Sequence, residues 1–290
     1  MYEFIKNHQH EFRVVKMCSV FGVSKSGYYD WLKRDESEQR MARKRLTEEI
    51  KNIYYKSKKR YGSIKITREL RKTGFSVSER HVQRIMTEEG MKSITAQKFK
   101  ATTNSDHDKH IYPNLLEQNF KTSGPGVAWV SDITYIWTRQ GWLYLASVMD
   151  LYSRKIIGFS MSSRMTKELV IQALERAVRH QPPKKGLIHH SDRGSQYASK
   201  EYTKILKDAE IPISMSGKGN CYDNACIESF HSVIKKELIF HKDYKTRKEA
   251  KSSIFDYILS FYNSWRIHST LDYSTPNEFE KAYYLKNEAA

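Results

Sequence analysis

Residues 127–192 alternate between runs of β-branched and aromatic residues and a stretch whose apolar residues recur at helical spacing. Three runs predict consecutive strands, at residues 127–137, 142–149 and 155–161. The residues between the first two runs, Arg139-Gln140-Gly141, favour a hairpin. A chain with this pattern is constrained to build a sheet that starts with three antiparallel strands.

The pattern then changes from strand to helix and back. Apolar residues recur at helical spacing across residues 167–180, which predicts a helix there, and the Pro182-Pro183 pair ends it. Leu187 and Ile188 begin a short buried strand that ends at Asp192. A further helix, a strand and a last helix follow. The whole order, three antiparallel strands and then helix, strand, helix, strand and helix, is that of an RNase H-like α/β sheet.

Three carboxylates occupy defined places in this order. Asp132 lies in the middle of the first strand, Asp192 ends the fourth strand, and Glu228 lies in the last helix. A carboxylate in a central strand is costly to bury unless it is paired or binds a metal. Hard divalent cations such as Mg²⁺ prefer oxygen ligands, and a pair of them cuts phosphodiesters without a nucleophilic side chain. The pattern predicts a two-metal nuclease or transposase site, although any one of the 33 acidic residues alone is more often solvated.

The predicted helix that contains Glu228 has one apolar stripe on a helical wheel. Its members are Ile227, Phe230, Ile234 and Leu238. Glu228 and Lys235 project together from the edge of this stripe. Lys235 is therefore predicted to contact a DNA phosphate, with a solvated helix lysine as the alternative. Glu237 lies further round the helix and is expected to face solvent.

The balance of charge implies a polyanionic partner. The formal net charge is +17, and the sequence pI is about 9.6. Residues 40–72 hold 13 Lys and Arg against three Glu. Such a stripe suits phosphate neutralisation, although a charged run is more often a solvated face. DNA binding is favoured here because helix-turn-helix patterns accompany the charge.

Two helix-turn-helix patterns occupy residues 14–32 and 46–91. Ser24 is expected to cap the second helix of the first pattern, and Ser78 the recognition-type helix of the second. Arg and Gln read base edges in the major groove, and Lys and Arg hold phosphates. The DNA contacts predicted in the second pattern are Lys65, Arg68, Arg80, Gln83 and Arg84. Plain helical packing is the alternative, and it is stronger for the first pattern.

These features divide the chain into four parts. We predict a helix-turn-helix-like segment at 1–45, a helix-turn-helix DNA-binding domain at 46–94, a basic linker at 95–122 and a catalytic core at 123–284. Ser123-Gly124-Pro125-Gly126 marks the start of the core.

The sequence gives weaker support to a disulfide framework, a zinc site, histidine catalysis or serine catalysis. The three cysteines form no Cys-x-x-Cys motif, so neither a disulfide framework nor a structural zinc site is indicated. His189 and His190 favour strand packing over metal binding or general-base catalysis. Ser191 and Ser195 lack a nucleophile elbow, which argues against serine chemistry.

The segment 217–220 is too short for a phosphate-cradling loop of the Walker type. It is better interpreted as an active-site loop before the last helix, with Asn224 near metal or DNA.

Four stretches together resemble one known family. WVSDITYI, HHSDRGSQY, DNACIESFHSVIKKE and YNSWRIHSTLDYSTP are similar to the signature motifs of DDE insertion-sequence transposases. More narrowly, nearly the whole chain resembles the second-reading-frame (OrfB) product of the IS-three family, whose core is similar to retroviral integrases.

The resemblance implies roles for particular residues. Asp132, Asp192 and Glu228 would bind two Mg²⁺ ions, with Mn²⁺ as a substitute, and Lys235 is the family's basic residue. The zinc module of retroviral integrases is not carried over, because His8, His10 and Cys18 do not supply its ligand pattern.

Further DNA contacts are predicted around this core. The tail of the core would pack near the active site, so Arg266 and His268 are predicted to touch DNA, with a structural role at least as favoured. Arg193, which follows Asp192, is predicted to contact DNA as well.

The resemblance also implies substrates and partners. These are terminal inverted repeats, target DNA, a homo-oligomer on DNA, and fusion or association with an upstream-frame helix-turn-helix product. The main hypothesis is a transposase that cuts DNA at the ends of its element and joins them elsewhere. An RNase H-like nuclease without strand transfer and a non-catalytic DNA-binding regulator are the alternatives. The chain shows no membrane-spanning run or signal-like leader, so a cytoplasmic, nucleoid-associated bacterial protein is expected.

Overall fold

The computed structural model describes residues 1–34, 37–95, 110–217 and 220–288. Three short helices form the start of the chain: α1 (Tyr2–Asn7), α2 (Val14–Val20) and α3 (Lys25–Lys33). They enclose a small core of their own, in which Ile5 and Tyr28 are fully buried. The side chain of Ser24 accepts a hydrogen bond from the Gly27 amide, so the predicted cap of α3 is confirmed.

Three more helices form the second module: α4 (Glu38–Lys56), α5 (Ser63–Lys72) and α6 (Glu79–Glu88). Ser78 caps α6 by accepting a hydrogen bond from the His81 amide, as predicted. α4 begins before the predicted boundary at residue 46, because Ser37 caps it there. Half of the predicted linker, residues 96–109, lies outside the described residues.

Five strands form one mixed sheet in the spatial order β3-β2-β1-β4-β5. They are β1 (Ala128–Ile136), β2 (Leu143–Asp150), β3 (Ile156–Ser162), β4 (Ile188–Ser191) and β5 (Ile213–Met215). The first three are antiparallel neighbours, whereas β4 pairs with β1 and β5 in parallel. The predicted hairpin joins β1 and β2, and Gly141 takes the positive φ that its turn requires.

Helices cover both faces of the sheet. α7 (Lys167–His180) and α8 (Lys200–Asp208) pack on one face, in a core that includes Trp129. α9 (Ala225–Glu237) and α10 (Arg247–Asp256) pack on the other face. The same second core also contains buried residues of α4, α5 and α6, so the helical module is docked on the catalytic part of the chain. The RNase H-like α/β class and the predicted order of elements are confirmed.

The end of the chain wraps back over this core. A π-helical turn (Tyr257–Tyr262) extends α10, and a 3₁₀ turn (Ser269–Leu271) leads to the last helix, α11 (Pro276–Glu288). Two further 3₁₀ turns flank α9, at Cys221–Asn224 and Ile239–His241. In the part of the chain that the structure describes, every helix is too short or too polar to cross a membrane.

Candidate active site

Two of the predicted acids lie side by side because of strand pairing. Ser131 of β1 is the parallel partner of Ser191 of β4. Asp132 and Asp192 are the next residues along these strands, and hydrogen-bonded strands lie about 4.8 Å apart. β4 ends at Ser191 whereas β1 continues, so both acids lie at the point where the sheet opens.

Tyr197 lies within electrostatic range of both aspartates. Its phenol is buried, and desolvation raises its pKa first, with the negative charges of Asp132 and Asp192 adding to the rise. Among the described residues, its hydroxyl has no hydrogen-bond partner. A buried unpartnered hydroxyl beside two carboxylates marks a polar site that the protein alone does not satisfy.

Asp132 is held by a histidine from α9. Nδ1 of His231 lies 3.2 Å from Oδ2 of Asp132, and its Nε2 lies 3.4 Å from the hydroxyl of Ser147. Ser147 is the β2 residue directly opposite Asp132. The imidazole therefore bridges α9 and β2 and fixes the orientation of the carboxylate.

The turn that follows β4 fixes the carboxylate of Asp192. Its Oδ1 accepts a hydrogen bond of 2.8 Å from the Gly194 amide. A side chain at residue 194 would crowd this oxygen, because a Cβ there would lie 2.9 Å from it. The next residue, Arg193, donates from Nε to the Ser216 carbonyl oxygen at 2.6 Å and thereby ties the turn to the end of β5.

Glu228 and Lys235 both lie within electrostatic range of Asp132. Glu228 is in the first turn of α9; partial burial raises its pKa, and the charge of Asp132 raises it further. Burial lowers the pKa of Lys235, against the attraction of Asp132. The ammonium of Lys235 lies 4.6 Å from the ring centroid of Tyr135. The predicted apolar stripe of α9 is confirmed, since Ile227, Phe230, Ile234 and Leu238 are all buried.

The side chains of Asp132, Asp192 and Glu228 lie in one region but do not meet at a single metal-binding point. Within the described ranges, no three His, Cys, Asp or Glu side chains stand close enough together to hold one metal ion. Glu228 is exposed at the edge of α9, where its side chain has room to change rotamer.

The two strand histidines pack in the core, as predicted. Both are fully buried, and burial lowers the pKa of His189 to about 3 and that of His190 to about 4. His189 bonds to the hydroxyls of Ser131 and Tyr202 through Nε2. The imidazoles therefore brace the strands that carry the aspartates.

The tail of the chain corrects the expectation for Glu237. We expected this residue to face solvent, and that expectation was wrong, since only 6% of it is exposed. The Arg266 guanidinium donates to both of its carboxylate oxygens, at 2.9 to 3.1 Å. His268 lies beside Arg266, and burial lowers the pKa of this histidine. These contacts support the structural alternative for Arg266 and His268.

The predicted contacts on the helical module fall into two groups. Arg80, Gln83 and Arg84 are exposed together on α6. Lys65 and Arg68 are instead partly buried on α5. The Lys65 ammonium lies over the Tyr61 ring of the same module, and the Arg68 guanidinium lies 4.4 Å from the centroid of the Tyr273 ring in the tail of the chain.

Sequence reasoning missed His231 and Tyr197. His231 lies three residues after Glu228, at a spacing that puts both on the same side of α9, and this signal was available. Tyr197 carried no comparable signal, because its approach to the aspartates depends on the turn that follows β4.

Three family models match the chain. Two are described as Integrase core domain and match residues 122–221 and 228–283. The third is described as HTH-like domain and matches residues 41–99.

Relatives cover almost the whole chain. A 31 kDa protein of insertion element IS600 from Shigella sonnei is 44% identical over 268 residues, which is 92% of this chain and 98% of that protein. The transposase InsF for insertion sequence IS3A from Escherichia coli K12 is 40% identical over 281 residues, covering 96% of this chain and 98% of its own.

Two viral protein structures align with parts of this chain. The simian T-cell lymphotropic virus intasome in complex with PP2A regulatory subunit B56 gamma gives a TM-score of 0.45 at 15% identity, over 79% of this chain and 73% of that one. The HTLV-2 integrase catalytic core domain in complex with magnesium gives 0.42 at 16% identity, over 55% of this chain and 99% of that one.

The sequence relatives and the matched domains agree on one assignment. The helical module is an HTH-like domain, and the sheet with its helices is an integrase core domain. Since relatives 40 to 44% identical align over 98% of their own length, the chain belongs to the IS3 family of insertion-sequence transposases.

Proposed function

We propose that Asp132, Asp192 and Glu228 are the metal-binding acids with which this transposase cuts DNA at the ends of its element and joins the freed strand to a target. The observation that carries the proposal is the strand register, which sets Asp132 and Asp192 at the ends of one paired segment. Glu228 of α9 is included because it lies within electrostatic range of Asp132, whose negative charge raises the pKa of Glu228.

The residues at this site suit a hard divalent cation. The donors are carboxylates, and the buried Tyr197 hydroxyl beside them lacks a partner among the described residues. Repulsion between Asp132 and Glu228 is what a bound cation would relieve. A pair of Mg²⁺ or Mn²⁺ ions held there would stabilise the attacking and the leaving oxygens of an in-line displacement. A change of rotamer of the exposed Glu228 side chain would complete the ligand set.

Neighbouring residues position the reacting groups. His231 fixes the Asp132 carboxylate through its contact with Oδ2. Lys235 offers a partly desolvated ammonium to the phosphate that is cut, since it lies between Asp132 and Tyr135. Arg193, the residue after Asp192, is proposed to contact DNA.

The HTH-like domain supplies recognition. The exposed Arg80, Gln83 and Arg84 on α6 have the side chains that read base edges, so this helix is proposed to enter the major groove of the terminal inverted repeats. A homo-oligomer would bridge the two ends and the target, joined or assisted by an upstream-frame product. The protein is proposed to act at the bacterial nucleoid.

A strand-transfer assay tests the proposal. Full-length protein is incubated with Mg²⁺ and labelled DNA that carries the inverted repeats flanking its gene. We expect wild-type protein to give joined product, and Asp132→Asn and Glu228→Gln to retain the DNA without cutting it. The matched control is Asp208→Asn, an exposed acid at the end of α8, which should join normally.

Each other outcome contradicts a defined part of the proposal. Joining by Asp132→Asn at the wild-type rate would remove that residue from the site. Cut but unjoined DNA from the wild type would indicate a nuclease, and a shifted but intact band would indicate a regulator.

A further inference from the structure

Three aromatic side chains gather on the hairpin that joins β1 and β2. We call Tyr135, Trp137 and Trp142 the hairpin cluster. The Trp142 ring packs edge-on against both others, with centroids 5.1 Å from Tyr135 and 4.9 Å from Trp137. Trp137 is nevertheless 59% exposed and Trp142 43% exposed. Tryptophans that serve packing alone are mostly buried, so a contiguous exposed pair indicates a binding surface.

The hairpin cluster is related to the candidate active site through one lysine. Lys235 links the two, because its ammonium lies over the Tyr135 ring and within electrostatic range of Asp132. Tyr135 is three residues beyond Asp132 along β1, a distance of about 10 Å at the rise of a strand. Residues three apart on a strand project from opposite faces, so Lys235 connects the two sites at the edge of β1 that β4 leaves unpaired after Ser191. A DNA strand whose phosphate lay at the acids would reach the cluster along this edge, beside Lys235.

The hairpin is fixed in place before any ligand binds. Arg247 donates from Nε to the Trp142 carbonyl oxygen and from its amide to Gln140, each at 3.0 Å. On the other side of the turn, Arg139 pairs with Asp243. The exposed rings thus stand on a preorganised support with Lys235, Arg139 and Arg247 around them, and little ordering entropy is lost on binding.

We propose that the hairpin cluster stacks an unpaired base of the DNA strand that lies next to the phosphate being cut. This inference rests on the proposed function of the acids and names the substrate feature that the same site holds. Aromatic faces beside cations that follow a phosphate backbone are the usual platform for single-stranded nucleic acid. Lys235 and Arg247 beside the rings favour a polyanion over an apolar surface of a second copy of the chain, whereas the charge of Arg139 is balanced by Asp243.

Equilibrium binding of single strands tests the proposal. The probes are a fluorescein-labelled oligothymidylate and an abasic strand of the same length, which keeps the phosphates and lacks the bases. Binding is measured in EDTA, so that no cleavage interferes. Trp137→Ala and Trp142→Ala should weaken oligothymidylate binding by about tenfold or more and leave abasic-strand binding unchanged, because base stacking alone is lost.

Matched variants separate stacking from folding. Trp142→Phe keeps an aromatic face and should retain most of the affinity. Tyr284→Ala removes an exposed ring that also lies beneath a lysine, Lys184, but far along the chain on α11, and should change nothing. Circular dichroism melting checks that each variant is folded.

Two results would overturn the proposal. Wild-type affinity of a Trp137→Ala/Trp142→Ala double variant for oligothymidylate would show that no base stacks there. Equal losses for both probes, together with a lower mass in sedimentation, would show that the cluster joins two copies of the chain. Asp132→Asn distinguishes this failure from that of the proposed function, since it should lose cutting and keep full single-strand affinity in EDTA.

Discussion

Replacing Arg266 by Met should destabilise the protein by about 3 to 5 kcal/mol, because it leaves a buried carboxylate without its cation. The Glu237 side chain is 7% exposed and that of Arg266 is 11% exposed. Burial pushes the pKa of Glu237 upward, but the charge and hydrogen bonds of Arg266 outweigh it and hold the pKa below its ordinary value.

The size of the effect follows from what remains around the carboxylate. The Tyr257 hydroxyl still donates to Oε2 at 2.8 Å, and Lys65 remains nearby as a second positive charge. Both reduce the penalty, so we expect a value near the lower limit, about 3 kcal/mol. Removing both charges, in Glu237→Leu/Arg266→Met, should restore most of the loss and leave about 1 kcal/mol for the orphaned Tyr257 hydroxyl.

Urea denaturation followed by circular dichroism measures these free energies of unfolding. The wild type, both single variants and the double variant form a thermodynamic cycle at neutral pH. Because the folded pKa of Glu237 is depressed, its stabilisation is present above about pH 4.5 and is lost as the pH falls through the folded value. A loss under about 1 kcal/mol for Arg266→Met, or a double variant as unstable as the sum of the single variants, would refute the buried-pair account.

Three other predictions concern the sheet and the site. His231→Leu should raise the Mg²⁺ concentration needed for half-maximal cutting by about 10- to 100-fold, with partial rescue by His231→Asn; an unchanged requirement would show that the imidazole does not position Asp132. Gly158→Ala should cost about 3 kcal/mol in thermal melts, because its Cβ would lie 2.6 Å from the Ala177 amide nitrogen of α7; an unaltered melt would contradict this packing. Stability that depends on neutral His189 should be present above about pH 6.5 and fall as the pH drops toward 3, so a His189→Gln variant should show a weaker acid dependence than the wild type between these values.

The order of strands and helices was predictable because it depends on local periodicity. Runs of β-branched residues and the apolar stripe of α9 act through their own neighbours in sequence, and both predictions were confirmed. The sequence predicted Asp132 in the middle of the first strand and Asp192 at the end of the fourth, but their juxtaposition depends on the parallel pairing of β4 with β1, which no local pattern shows.

The errors arise where distant segments meet. A wheel of α9 shows the direction of Glu237 but not that Arg266, far along the chain, returns to cover it. The DNA contact of Lys65 stays a prediction, but its charge did not reveal that the ammonium lies over the Tyr61 ring, within electrostatic range of Arg266 and Glu237. Trp137 and Trp142 belong to runs typical of buried strands, and only the end of the hairpin exposes them.

Titration of Mn²⁺ into the full-length protein without DNA, followed by electron paramagnetic resonance of the free ion, tests the metal site most directly. The account predicts that the wild type binds Mn²⁺ and that Asp132→Asn, Asp192→Asn and Glu228→Gln each bind it at least about tenfold more weakly. Asp208→Asn should bind it as the wild type does. Equal Mn²⁺ affinity in the wild type and all three acid variants would contradict the assignment of these acids as metal ligands.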